Sequence, residues 1–187
     1  MKGYTKLHFL RIFGAPVHLH WSALVIVVAL VAGWIKEPFS ALAIIFSYFG
    51  IILLHESGHA YFAQRLGCSP INIYLSFIHG VCEHQAPNSF KDEYIIAWGG
   101  VTAQFAVAIP LIVLAQTTSL TELPILGILI VFFGYINAFI AIVNLAPAKG
   151  LDGANAWRLI PLLLKQYGRG RKTASKKIAK GHIRRVK

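Results

Sequence analysis

The sequence predicts an α-helical polytopic membrane protein with about four transmembrane helices. Of its 187 residues, 56% are hydrophobic and only 13% are charged, and the mean hydropathy is +0.61. Soluble domains are roughly a quarter charged, and a water-soluble fold of this length could not cover so much apolar surface. Four long uncharged stretches supply the helices, since about 20 helical residues cross the roughly 30 Å hydrocarbon core of a bilayer.

Charged or helix-breaking residues separate the predicted spans. The first span ends at Lys36-Glu37-Pro38 and the second at Gly67. At about 1.5 Å per residue every span can cross the hydrocarbon core, the first of them barely. In chain order the spans cover 19–35, about 39–66, and stretches within 94–121 and within 123–148.

The placement of Lys and Arg predicts the orientation. Basic residues precede the first span, flank the loop after the second span as Arg65 and Lys91, and follow the fourth span. The other two loops hold only Lys36. Because short loops rich in Lys and Arg stay in the cytoplasm, both termini are predicted to be cytoplasmic. The expected location is the cell membrane, as a multi-pass protein of a prokaryotic plasma membrane.

Two short elements are predicted outside the spans. Apolar residues alternate with others over Ile71–Phe77, a period of two that indicates a β-strand between the second and third spans. His79-Gly80 can turn this strand into a β-hairpin. After the fourth span, residues 154–164 indicate a short interfacial helix bent at Pro161. Residues 1–166 are therefore predicted to form a single transmembrane core.

Residues 167–187 are predicted to form a basic cytoplasmic tail. Nine of the 18 basic residues lie between Arg169 and Lys187, and such a run is attracted to anionic lipid headgroups at about 1 kcal/mol per residue. Because the charge is concentrated in a tail and not along a folded face, no nucleic-acid partner is expected. The two cysteines, Cys68 and Cys82, lie too far apart for a C-x-x-C motif and indicate neither a disulfide framework nor a thiolate metal site.

The second span contains an acidic residue and two histidines inside an otherwise apolar helix. Glu56 lies there, and a charged group at membrane depth costs at least about 2.5–3.5 kcal/mol, which marks it as a functional residue. His55 and His59 are spaced i, i+4 and project from the same helix face, where each can offer a nitrogen to zinc. Glu56 then stands where the general base of an H-E-x-x-H site lies. The alternative is a pair of buried histidines bonded to the backbone or to neighbours.

A zinc site of this kind needs a further protein ligand, and Asp152 is the candidate. His55 lies about 24 Å into the second span, and Asn144 reaches a similar depth in the fourth span. Pro147 and Gly150 then break the helix, so that the unwound segment can bring Asp152 to the metal. The alternative for Asp152 is a helix N-cap for the segment that follows it.

The motif His55-Glu56-Ser57-Gly58-His59, together with Asn144-x-x-Pro147-x-x-x-x-Asp152-Gly153, resembles the site-2 protease family of intramembrane zinc metalloproteases. The resemblance covers about residues 14–157, in a minimal form without a PDZ or CBS domain. It implies that one Zn²⁺ per chain is bound by three ligands and that Asn144 hydrogen-bonds the substrate backbone or the developing oxyanion. The implied ligands are His55, His59 and Asp152, with Glu56 as the catalytic base.

Three positions depart from the pattern of the family. Gln104 stands where an asparagine is common on the third span, and it is expected to contact a helix or to position another group. His79 stands where a glycine is common, and Lys149-Gly150 replaces an apolar-proline pair. None of these departures removes a catalytic group. Gly58, between the two histidines, is expected to let another helix or a substrate approach closely.

The function implied is hydrolysis of peptide bonds in transmembrane segments of membrane-protein substrates, near the cytoplasmic side. The substrate must be extended, and the Ile71–Phe77 strand is suited to pair with it by strand addition. A prior cut of the substrate by another protease is left open. Two alternatives remain: a non-catalytic zinc-binding membrane scaffold, and a metal transporter, which should show a second ligand-rich helix and more spans.

Overall fold

The computed structural model describes residues 3–167. A π-helical stretch, Val131–Ile136, lies within the last long helix, and a final helical segment covers 159–167. In chain order the other elements are β1 (Tyr4–Ile12), β2 (Ala15–His20), α1 (Ala23–Gly33), α2 (Pro38–Arg65), β3 (Pro70–Leu75), β4 (Gly80–His84), α3 (Phe90–Thr117), a 3₁₀ turn (Ser119–Glu122), α4 (Pro124–Asn144) and α5 (Gly153–Ala156).

The predicted helical membrane architecture with a small sheet is confirmed. Among the described residues, α2, α3 and α4 are long and apolar enough to cross a membrane, and they correspond to the second, third and fourth predicted spans. The first predicted span is shorter than expected, because α1 has only 11 residues, or about 16 Å. Residues 15–20, which share its uncharged stretch, form β2 instead.

A four-stranded sheet packs against α2. The strand order is β1-β2-β3-β4, with an antiparallel pair at each end and a parallel pair, β2 with β3, in the middle. One face of the sheet buries Val17, Ile73 and Leu75 against Ala60 of α2. The predicted strand and hairpin are thus confirmed as β3 and β4, whereas β1 and β2 were not predicted.

The position of β3 corrects one expectation about substrate binding. The Ile71–Phe77 strand was expected to accept an added substrate strand. However, β3 is paired on one side with β2 and on the other with β4, so its main-chain groups have no open edge. Among residues 3–167 no strand covers the outer edge of β4, so that edge, like the outer edge of β1, is open to a further strand.

Helices α2 and α3 touch backbone to backbone. A Cβ atom placed on Gly58 would lie 2.2 Å from the carbonyl oxygen of Gly99, and one placed on Gly99 would lie 2.6 Å from the carbonyl oxygen of Gly58. No side chain larger than hydrogen fits at either position. The close approach expected at Gly58 is therefore made by a helix, and it lays α3 along the face of α2 that carries the histidines.

After α4 the chain folds back sharply and is anchored to α3. The indole N–H of Trp98 donates to the Ala156 carbonyl at 2.8 Å, and that of Trp157 donates to the Leu145 carbonyl at 2.6 Å. Gly153 packs against the Leu145 carbonyl, where an added Cβ would lie 2.2 Å from the oxygen. These contacts fix the 145–152 segment beside the N-terminal half of α3.

The helix predicted over 154–164 is divided into two pieces. Helix α5 ends at Ala156, and the next helical segment covers 159–167. The break therefore comes before Pro161 and not at it. Pro161 lies in the first turn of the later segment, where its missing N–H has no intrahelical partner to lose. The basic tail predicted over 167–187 lies, apart from its first residue, outside the described residues.

A single methyl group at the helix crossing tests its importance. We expect Gly58→Ala to lower the free energy of unfolding by about 1–3 kcal/mol, because the added carbon overlaps the Gly99 carbonyl. Thermal unfolding of the purified protein in detergent measures the loss. Gly33→Ala is the matched control, since no atom lies within 4 Å of its added Cβ. Equal stability of the two variants would contradict the crossing described above.

Candidate active site

Three potential metal ligands converge near the sheet, from the second half of α2 and the segment after α4. The Nε2 atoms of His55 and His59 lie 3.1 Å apart. The Oδ2 atom of Asp152 lies 3.0 Å from the first and 3.2 Å from the second. The three side chains form the one His/Cys/Asp/Glu group of metal-binding geometry among residues 3–167. The structure thus brings together the three residues that the sequence nominated.

The hydrogen bonds on the far side of each ring determine which nitrogen holds a proton. His59 Nδ1 lies 2.8 Å from the carbonyl oxygen of Ile96, and His55 Nδ1 lies 2.9 Å from Oε1 of Gln104. Both oxygens can only accept, so both Nδ1 atoms carry hydrogen and both neutral rings have a lone pair on Nε2. This is the arrangement in which histidine binds metals.

The three donors fit a zinc ion. Bonds of about 2.0–2.1 Å in a tetrahedron place neighbouring ligand atoms about 3.3 Å apart, close to the separations seen here. Asp152 Oδ2 is buried and has no hydrogen-bond donor among the described residues. Two lone pairs and a carboxylate oxygen that face one another require a cation between them. With three protein ligands, a fourth position stays open for solvent or substrate.

The carboxylate of Asp152 faces the two histidines and does not serve as a helix cap. Asp152 occupies the N-cap position of α5, yet its side chain makes no capping hydrogen bond. Its carboxylate faces the histidines instead, which excludes the alternative of a simple N-cap.

Glu56 lies beside the three ligands under strand β4. Its side chain is 5% exposed, and Cys82 of β4 lines the same cavity. A Cβ atom on Gly80 would lie 2.6 Å from Oε1 of Glu56, so only glycine allows the strand to pass this close. The carboxylate is thereby fixed at the edge of the sheet and at the wall of the cavity.

The other residues that the sequence analysis singled out lie at different distances from the three potential ligands. Asn144, the last residue of α4, places Nδ2 at 3.5 Å from Nδ1 of His55 and lines the same cavity. His79 also lines that cavity, whereas Lys149 is exposed to solvent.

Cys82 is a free thiol, and burial, with Glu56 and Glu83 nearby, raises its pKa to about 12. It therefore stays protonated at neutral pH and is neither a reactive nucleophile nor a metal ligand.

A cavity of about 520 Å³ joins these groups. One end of the cavity holds Glu56 and the three potential metal ligands. From there it extends between α2, α4 and the β3–β4 loop along apolar side chains, which suits a hydrophobic polypeptide segment. The apolar lining includes Tyr48, Ile52, Ile78, Phe132, Ile136 and Ile140.

Of the residues of α3 that support the histidines, sequence reasoning expected a contact or positioning role for Gln104 but missed Gly100 and Ile96. A Cβ atom on Gly100 would lie 2.4 Å from Cε1 of His55 and 2.7 Å from Nε2 of His59, so this glycine makes room for both rings. Ile96 contributes a main-chain carbonyl, and the pattern of side chains in the sequence cannot predict such a contact. The adjacent glycines Gly99-Gly100 in an apolar span were the available signal of close packing.

No protein-family model matches the chain. It is 28% identical over 167 residues to the zinc metalloprotease MJ0392 of Methanocaldococcus jannaschii, a match that covers 87% of this chain and 47% of that protein. Its structure superposes on the site-2 protease from Methanocaldococcus jannaschii with a TM-score of 0.66 and 26% sequence identity, over 88% of this chain and 73% of that one. The chain is a homologue of the site-2 protease. It spans about half the length of the curated relative that it matches.

Removal of the third ligand tests the metal site in this site-2 protease homologue. We expect Asp152→Ala to lose most of its bound zinc, because two histidines alone leave the ion with one protein ligand too few. The measurement is the zinc content per chain after dialysis against a weak chelator. Glu122→Ala, which removes an exposed carboxylate far along the chain, should keep full occupancy. Unchanged zinc in Asp152→Ala would exclude Asp152 as a ligand.

Proposed function

We propose that this chain is an intramembrane zinc metalloprotease that hydrolyses peptide bonds in the transmembrane segments of other membrane proteins. The observation that carries the proposal is the convergence of His55, His59 and Asp152 beside a buried glutamate, on helices long enough to span a bilayer. The homology to a zinc metalloprotease and to a site-2 protease supports the same chemistry.

The residues of the site divide the work of hydrolysis. When bound, zinc polarises the scissile carbonyl and makes water more acidic. Glu56 takes the proton from the attacking water and later delivers it to the departing amine. The close approach of β4 at Gly80, where there is no side chain, holds the Glu56 carboxylate in place for both transfers. Asn144 donates its amide to the substrate carbonyl as negative charge develops there.

The substrate binds in an extended form along strand β4. A helical segment cannot be cut directly, since its carbonyl groups are hydrogen-bonded within the helix. The open edge of β4 lies next to Glu56, so an unwound substrate segment that pairs with this edge brings its backbone to the base. The apolar cavity then accommodates its side chains. Transmembrane segments with helix-weakening residues are the substrates that this arrangement favours.

The path of the chain supports four crossings, although α1 is short. Strand β2 pairs with β3, which follows the end of α2, so both strands lie on the same side of the membrane. The chain must therefore return from His20 to Pro38, at the opposite end of α2, within residues 21–37. Helix α1 and its flanking turns make this crossing. With Arg65 and Lys91 on the sheet side, that side is cytoplasmic, and cleavage occurs near it.

The basic tail adds a lipid contact to this topology. Its nine basic residues between Arg169 and Lys187 follow the last membrane-associated segment. They would hold the cytoplasmic end of the protein against anionic headgroups.

Replacement of the general base separates a protease from a zinc-binding scaffold. We expect Glu56→Gln to bind zinc like the wild type but to cut a membrane-spanning substrate at least about 10²-fold more slowly, because the amide cannot accept the proton of water. Cleavage is followed in liposomes with both proteins at equal zinc content. Glu122→Gln is the matched control and should cut at the wild-type rate.

Two results would contradict the protease assignment. Equal cleavage by wild type and Glu56→Gln would show that Glu56 is not the base. Failure of the zinc-loaded wild type to cut any of a broad panel of transmembrane substrates would favour the non-catalytic scaffold.

A further inference from the structure

Two amide side chains are completely buried between the long helices. Gln104 of α3 and Asn137 of α4 both have 0% exposure. Burial of an amide costs several kcal/mol unless its polar atoms are hydrogen-bonded, and here they are paired. Nε2 of Gln104 donates to Oδ1 of Asn137 at 2.9 Å. Neither amide belongs to the chemistry described above, and their position behind His55 indicates a different role.

Main-chain carbonyls fix the orientation of both amides. Nδ2 of Asn137 lies 3.1 Å from the carbonyl oxygen of Gln104 and 3.1 Å from that of Phe133. Those oxygens can only accept, so the NH₂ group of Asn137 must face them and its Oδ1 must face Gln104. Gln104 must then donate with Nε2, which turns its Oε1 towards His55. The main-chain carbonyls thus fix the orientation of the Asn137 amide, which in turn fixes that of the Gln104 amide.

The π-helical stretch of α4 provides one of these carbonyls. The main-chain N–H of Asn137 bonds to the carbonyl of Phe132, five residues before it, and to that of Gly134. In a regular α-helix this N–H would bond to the carbonyl of Phe133. The Phe133 carbonyl is thus not bonded to this N–H, and it accepts from the Asn137 side chain. Widened turns of this kind are frequent at functional sites.

We propose that Asn137 and Gln104 are positioning residues that hold His55 in its metal-binding tautomer. Oε1 of Gln104, 2.9 Å from Nδ1 of His55, keeps the proton on that nitrogen and leaves the lone pair of Nε2 directed at His59 and Asp152. The only other polar neighbour, Asn144, lies 3.5 Å from the same nitrogen, too far to replace it. The inference rests on the zinc site of the proposed function.

A positioning role predicts a loss of metal affinity that a mere helix contact would not produce. Partners of this kind, bonded to a ligand histidine, are typically worth about 10–100-fold in affinity. We expect Gln104→Met, which fills the same space without an acceptor, to weaken zinc binding by about that factor. Chelator competition on the purified protein in detergent measures the affinity. The absorption spectrum of the cobalt-loaded variant should also differ from that of the wild type.

Gln116→Met is the matched control. Gln116 also lies on α3 and also reaches α4, since its Nε2 donates to the hydroxyl of Tyr135 at 2.6 Å, but it has no contact with His55. Its loss removes the same kind of interhelical bond and should leave zinc affinity and the cobalt spectrum unchanged. If both glutamine variants bind zinc as tightly as the wild type, the positioning role is excluded.

A double variant tests whether Asn137 acts through Gln104. Asn137→Leu should weaken zinc binding less than Gln104→Met does, because Gln104 is left in place but loosened. Combined with Gln104→Met it should cause no further loss of affinity, and an additive loss would contradict the relay. If Gln104→Met does not fold, Asn137→Leu against Gln116→Met decides the question. Absence of zinc binding by the wild type would overturn the metal site itself, and the positioning role with it.

Discussion

The contact between the backbones of α2 and α3 is the constraint on which the site depends. Because Gly58 and Gly99 bring the two main chains together, one face of α3 runs directly along the histidine face of α2. Ile96, Gly100 and Gln104 share that face at intervals of four residues. The carbonyl of Ile96 accepts a hydrogen bond from His59, and Oε1 of Gln104 accepts one from His55. Gly100 leaves room for both rings. A larger residue at the crossing would move all three contacts at once.

The bilayer imposes a second requirement that the same contacts satisfy. Polar groups at membrane depth must be paired within the protein, since no water is available to bond them. The Nδ1 atoms of the histidines and both buried amides have such partners. Only the two Nε2 lone pairs and the Asp152 carboxylate are left facing one another. The helices thus pair these amides and ring N–H groups, and they leave the three atoms that a cation would bind facing one another.

A helix cannot by itself complete the ligand set. The third ligand comes from a segment that leaves α4 and folds back, and two tryptophans fasten it to α3 and to itself. The proposed base, Glu56, is enclosed from the opposite side by β4. The histidines therefore lie on a rigid helix. The turn after α4 brings Asp152 to them, and strand β4 covers Glu56 from the other side. This division leaves the cavity open along its apolar side, where a substrate segment would enter.

The sequence was sufficient for the features that depend on local spacing. Long uncharged runs predicted α2, α3 and α4, and the interval between His55 and His59 placed both on one helix face. Strand β2 escaped notice because its residues lie in an uncharged run that also supplies α1. Val17 and Leu19 alternate with histidines there, but hydrophobicity alone does not distinguish a strand from the start of a span. Its pairing with β3 joins segments more than 50 residues apart.

The support for the histidines could not be derived from spacing. The point at which the helices cross determines which residues of α3 contact α2. The orientation of Asn137 depends on a π-helical stretch, which no local sequence pattern predicts. A partial signal existed, because Gln104 and Asn137 are amides inside apolar spans, just as Glu56 is an acid inside one. Polar residues at membrane depth were informative wherever they occurred.

The central claim is that two histidines and one aspartate of this chain bind a zinc ion. X-ray absorption at the zinc edge of the purified protein tests it most directly. The account predicts nitrogen and oxygen ligands at about 2.0–2.2 Å with the scattering pattern of two imidazoles and no sulfur. A sulfur ligand at about 2.3 Å would contradict it, because that distance would place Cys82 or Cys68 in the site, and a single imidazole would contradict it equally.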